Sequence, residues 1–222
     1  MMRDLSLHTI QSNREKRKVR VPNARLEEIF KSFNLGLEQV REENNKIKFL
    51  LSHAQPIVSN RQSQIILLVS LLDTYIHDIV KHCFIQMLNG QRPKTDEYNK
   101  LLIPMEYVES AIQNPESSDW LDEAITTIHQ YKNFTSEKKI KVQLKGIGMT
   151  EKRTSEIIRG VKESLQIQNP LNEIFLIRNR LAHRVYEDIE ACVPSLTEEK
   201  VEVWIRFIEL FVAGIHNELL IV

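Results

Sequence analysis

Three side chains within six residues carry the chemistry to act on a phosphodiester: Arg178, Asn179 and His183. They lie in the segment Pro170-Leu-Asn-Glu-Ile-Phe-Leu-Ile-Arg178-Asn179-Arg180-Leu181-Ala182-His183-Arg184-Val185-Tyr186. An imidazole exchanges protons near neutral pH, and a guanidinium stays charged and can neutralise charge building on phosphorus. An amide can orient the imidazole or donate to a phosphate oxygen. Asn179 and His183 are four residues apart, so on a helix they share one edge. At 100° per residue, Leu171, Ile174, Phe175, Leu181, Ala182 and Val185 all fall within about 60° of residue 178, which puts Arg178 in the middle of an apolar face. A guanidinium there needs a carboxylate partner or an opening into a cleft or subunit interface. Asp73, in a strongly apolar segment, is the candidate partner. A bridge that merely ties two helices together is the plainer reading of that pair, and a lone histidine at a helix edge is more often structural than catalytic.

These residues need long helices to position them. With 6 Gly and 7 Pro in 222 residues, the chain is poor in turn formers and reads as helices joined by few loops. Asn23 can cap a helix from about Ala24 to His53, with Leu26, Ile29, Phe30, Phe33, Leu37, Val40 and Ile47 at helical spacing. A second, from about Asn60 to Met87, is apolar nearly all round and should be central or buried between subunits. Shorter helices are expected at Tyr107–Ile112, Trp120–Gln130 and Lys152–Leu165, the last with Thr150 as its cap. The motif helix, from about Pro170 to Val185, and a closing helix from about Thr197 to Leu220 complete an all-α chain. Gly146-Ile-Gly148 has no preceding strand and no third glycine, so it is not a phosphate loop.

The run Arg178-Asn179-x-x-x-His183, late in an all-helical chain, resembles the Arg-x4–6-His motif of HEPN-superfamily ribonucleases, within which the RiboL-PSP-like branch is the nearest fit. The second helix, with Ser70, Asp73, Tyr75 and His77-Asp78, is similar to the early long helix of that family, whose polar residue faces the motif. The likeness covers roughly a third of the chain, and residues 91–168 resemble no known segment. It implies a HEPN-like helical bundle at residues 24–222, with additional short helices between the second helix and the motif helix, preceded by an arm at 1–23. It further implies a homodimer with a composite, metal-independent site that cleaves RNA through its 2′-hydroxyl. Arg178, Asn179 and His183 would then be catalytic, Asp73 supporting, and Arg180, Arg184 and Tyr186 would contact RNA. A HEPN subgroup regulated by a nucleotidyltransferase antitoxin has Arg-x4-His-x-Tyr, whereas Tyr186 follows His183 by three positions. Tyr186 therefore departs from that pattern, and either stacks on a nucleotide or packs at the helix end. The second reading of the same resemblance is a catalytically inert module that binds nucleotide, RNA or a protein partner.

The bulk properties narrow the alternatives. Acidic and basic residues balance at 30 each, so attraction to nucleic acid must be local. Residues 1–25, with seven basic residues against Asp4 and Glu15, are either that local patch or simply a solvated terminus. His77 and His82 are five apart, the wrong spacing for two ligands on one helical face, and Cys83 and Cys192 match no metal pattern; no metal or cofactor is expected. The longest apolar run, Ile65–Leu72, is short of the ~20 residues a membrane span needs, and no secretory signal is visible. A cytoplasmic protein acting on RNA in toxin–antitoxin, antiviral-defence or stress-response systems, with an antitoxin or other regulatory partner, fits these features.

Overall fold

The computed structural model describes residues 23–51, 58–130, 134, 136–183 and 196–221. Among them are nine helices and no strand: α1 (Ala24–Leu51), α2 (Val58–Leu88), α3 (Asp96–Asn99), α4 (Met105–Gln113), α5 (Asp119–His129), α6 (Glu137–Gly146), α7 (Glu151–Leu165), α8 (Pro170–His183) and α9 (Glu198–Leu219). The all-α bundle expected from the sequence is the observed fold.

In α1, Leu26, Ile29, Phe33, Leu37, Val40 and Ile47 form one buried stripe. Asn23 starts the helix, its side-chain oxygen accepting the Leu26 N–H at 3.1 Å. The same oxygen lies 3.2 Å from His82 Nε2, so the cap also ties α1 to α2. Burial, reinforced by the charges of Arg25 and Arg92, pushes the pKa of His82 down to about 4, which keeps the ring neutral with one N–H to donate.

The central element is α2, packed against α1, α5, α6, α8 and α9. Its residues Ile65, Leu68, Leu72, Ile76, Ile79, Cys83 and Met87 recur every three or four positions and are essentially inaccessible. The stretch Ser63–Leu88 is long and apolar enough to cross a membrane by composition alone, with half of its most apolar window buried in the bundle. Counting contiguous apolar residues does not register this property because Asp73 and Thr74 end the run. The core helix of a bundle meets the same compositional test.

Within this core the Tyr75 hydroxyl is buried with no hydrogen-bond partner among the described residues, and burial raises its pKa well beyond the ordinary phenol range. Tyr75→Phe removes a desolvated hydroxyl without opening a cavity. It is expected to stabilise the fold by about 1 kcal/mol in urea denaturation; a loss of stability would show that the hydroxyl has a partner.

Two helices close the bundle around the motif. From α8, Leu171, Ile174 and Phe175 are buried where it meets α2 and α9, each contributing roughly 1.5–3 kcal/mol. The start of α9 is fixed by Thr197, whose hydroxyl accepts the Lys200 N–H at 3.3 Å, and its Val201, Trp204, Ile208, Phe211 and Ile215 are buried. Between α2 and α8 the chain forms five helices, where the sequence pattern predicts three. The two unexpected ones, α3 and α6, are short or polar: α6 buries only Ile140, Leu144 and Gly146. Both carry side-chain caps. Thr95 accepts from Tyr98 N and donates to the Gly146 carbonyl at 2.7 Å, and Ser136 accepts from Lys139 N at 3.2 Å. Thr150 caps α7 as expected, after a turn that Gly148 completes at φ +93°. The outlying helix is α4, which packs chiefly on α5 and has no buried residue.

Candidate functional site

Arg178 lies one turn beyond Ile174 and Phe175, half-buried where α8 faces α2, with Ile177 and Leu181 packed partly against the core. Its guanidinium donates to Asn179 Oδ1 at 3.3 Å. Among the described residues this is its one hydrogen bond, and no carboxylate lies within ion-pair distance. The helix thus presents a cation steered by the neighbouring amide, because Asn179 acts on Arg178. Arg180 is exposed on the same helix.

Asp73 feels Arg178 through space, but other atoms touch its carboxylate. Oδ1 accepts the Phe134 backbone N–H at 2.7 Å, and Oδ2 lies 3.5 Å from His77 Nε2, one turn further along α2. The close Arg178–Asp73 bridge considered from the sequence is replaced by this arrangement. Phe134, in the segment after α5, supplies the backbone donor that engages Oδ1. Burial by itself would raise the pKa of Asp73. The hydrogen bond from His77, the one from Phe134, and the charges of His77 and Arg178 outweigh it and hold the carboxyl below its ordinary value.

A folded-state pKa below the unfolded one means that the ionised carboxylate stabilises the fold. That contribution is complete above the unfolded value of 3.8 and is lost as pH falls through the lower folded value. Asp73→Asn is therefore expected to lower stability at pH 7 by about 1–3 kcal/mol and to flatten the acid limb of the stability curve. Urea titrations at pH 7 and pH 3 check both effects. Equal acid limbs would show that Asp73 is not held low.

His77 extends the constellation. Its Nδ1 lies 3.2 Å from His129 Nδ1, and the Phe134 ring packs beside both imidazoles, tilted against His77 at 4.3 Å between centroids and edge-on to His129 at 5.8 Å. The sequence places His77 among the polar residues of the second helix and excludes it as a metal ligand, but it points to neither His129 nor Phe134. The i,i+4 spacing of Asp73 and His77 was the one local signal. Phe134 and His129 come from α5 and the segment after it, where nothing local points back to α2. Among the described residues, no group of three or more His, Cys, Asp or Glu side chains is placed to hold a metal ion.

The other expected residues divide by position. The backbone of His183 belongs to α8, while its side chain lies outside the described residues, as do Arg184, Tyr186, Cys192 and the arm at 1–22. Cys83 is buried in α2, and burial pushes its thiol up to about 11, which makes it inert near neutrality. The described cavities, including one of about 620 Å³ at Asn23, Arg92, Lys94 and Gly148, are not lined by Arg178 or Asp73.

An all-α bundle with an acid on its early central helix and Arg-Asn-x-x-x-His on a late one defines a HEPN domain. The chain belongs to the RiboL-PSP-HEPN family, whose model matches residues 23–220. No curated protein and no solved structure matches it. The match includes residues 91–168, so the helices between α2 and α8 fall within the family's own span. Membership points to a ribonuclease or nucleotide-binding role.

Proposed function

We propose that the chain is a metal-independent endoribonuclease centred on Arg178 and His183. The observation that supports this reading best is the state of Arg178: a half-buried guanidinium with an amide beside it and, among the described residues, no close carboxylate to neutralise it. Asp73 supplies a weaker, longer-range attraction because its own oxygens are engaged by Phe134 and His77. A cation held in this way suits an anionic ligand.

In the reaction, a base removes the proton of a ribose 2′-hydroxyl, and the oxygen attacks the adjacent phosphorus. An acid protonates the departing 5′-oxygen, leaving a 2′,3′-cyclic phosphate and a 5′-hydroxyl. His183 serves as acid or base, Arg178 neutralises the phosphorane, Asn179 steers Arg178, and Asp73 supports it. A single motif supplies one imidazole, so a homodimer with the two motifs facing across a two-fold axis supplies both proton carriers. Two Arg178 side chains meeting there repel until phosphate arrives, which favours an anion in the site. Arg180, Arg184, Tyr186 and the basic arm would guide RNA. The setting is cytoplasmic, in toxin–antitoxin, antiviral-defence or stress-response systems, with an antitoxin or other regulatory protein as a further partner.

The test is cleavage of mixed RNA by chelator-treated protein, with analysis of product ends. Cyclic-phosphate ends are the expected result. Binding without cleavage by a folded dimer would favour an inert RNA- or nucleotide-binding module.

A further inference from the structure

The two imidazoles beside Asp73 form a unit with a restricted number of protonation states. With Nδ1 of His77 and Nδ1 of His129 3.2 Å apart, one proton must lie between them. Two protons would drive two N–H groups together, and none would oppose two lone pairs. On its other side, His77 presents Nε2 to the ionised Asp73, an acceptor that favours an N–H at that atom. His77 Nδ1 then accepts, and His129 donates. The pair can take up one further proton while keeping the bridge. A second would place two cations in contact, with both Nδ1 atoms protonated.

We infer that His77 is a positioning residue of the Arg178 site, sharing one titrating proton with His129 and thereby setting how strongly Asp73 competes with a phosphate for Arg178. This inference rests on the reading of Arg178 as the phosphate-binding cation. With the pair neutral, Arg178 is the one cation among the described residues whose charge acts on Asp73, beside the Phe134 N–H and the His77 contact. With the pair protonated, a cation lies 3.5 Å from Asp73 Oδ2, the carboxylate is neutralised from the α2 side, and Arg178 is released toward an anion. Both ring nitrogens of His77 are engaged, so it acts through Asp73 and does not touch substrate.

The surroundings suit such a unit. Phe134 covers both rings, and His129 is 6% exposed, so the shared proton is partly shielded from solvent. Among the described residues, the charged and titratable groups around His77 are Asp73, Asp78 and Lys81 on α2, His129 and Asp122 on α5, and Arg178 on α8, with Arg25 of α1 acting on Asp78. Lys81 and Asp122 pair with each other at 3.1 Å, leaving Asp73 and His129 as the groups in direct contact with His77.

The experiment compares two full-length proteins, His183→Ala and His77→Gln/His183→Ala. This background removes cleavage and the titration of the His183 ring. Binding of a short single-stranded RNA is followed by fluorescence anisotropy from pH 5.5 to pH 8 at constant ionic strength, alongside imidazole NMR of each protein. On acidification the first protein is expected to gain about three- to tenfold more affinity than the second, through one inflection. NMR is expected to show His77 and His129 sharing a single protonation step. Equal pH dependence of binding in the two proteins would overturn the inference. So would independent titration of His77 and His129, which NMR reads whether or not RNA binds. Failure of both proteins to bind RNA at any pH, with the shared step present, would instead count against Arg178 as a phosphate site, and the positioning role would fall with it. Melting curves of both proteins identify any variant that fails to fold. In that case His77→Asn replaces His77→Gln.

Discussion

His183→Ala is expected to reduce RNA cleavage by about 100- to 10,000-fold, the range for losing a positioned general acid or base, while leaving the fold intact. The structural half of this expectation follows from α8. Its anchors, Leu171, Ile174 and Phe175, lie in the first half of the helix, and His183 is its last residue. Those three anchors hold α8 whatever occupies position 183, so the melting temperature is expected to shift by no more than a few degrees. Single-turnover cleavage of a labelled RNA, with circular dichroism of the same sample, checks both halves. Wild-type turnover by the variant would remove His183 from the chemistry. Parallel loss of activity and helicity would recast it as structural.

Arg178→Ala is expected to cut cleavage by about 100- to 1,000-fold, as for removal of one group that stabilises developing charge. It should also weaken RNA binding and lower the slope of log affinity against log salt by about one. Its effect on stability separates the functional role from the architectural one. Were the guanidinium the sole partner of a buried Asp73, truncation would strand that charge and cost about 3–5 kcal/mol. In this fold Asp73 keeps the Phe134 N–H and His77 whatever occupies position 178, so the expected loss is below about 1 kcal/mol. Urea denaturation distinguishes the two values. Arg178→Lys retains the charge without the planar fork and should recover part of the binding but little of the rate.

Much of this architecture was legible because long amphipathic helices state their own faces. The stripes of α1 and α2, the caps Asn23, Thr150 and Thr197, and the central place of Arg178 on the apolar face of α8 all follow from local spacing. The short helices were less so. In α6, Lys138, Lys139, Lys141 and Lys145 dilute the apolar pattern, and only Ser136 followed by Glu137 marks its start. The environment of Asp73 was the least legible part. An isolated acid in an apolar helix announces that it needs a partner but not which one. The partners that reach it first are a backbone N–H and a histidine pair completed from α5, contacts that no periodicity encodes.

The distribution of the site along the chain also bears on how it comes into being. Asp73 and His77 are synthesised early, His129 and Phe134 later, and the motif of α8 later still, with α9 to follow and pack against it. Each contact spans a long loop, and such contacts form late because the entropy of closing the loop is lost before the contact rewards it. A nascent chain that has emerged from the ribosome only as far as α7 already has its central strut but lacks the motif arginine and histidine. The site is therefore incomplete until α8 and α9 have been made and packed against α2.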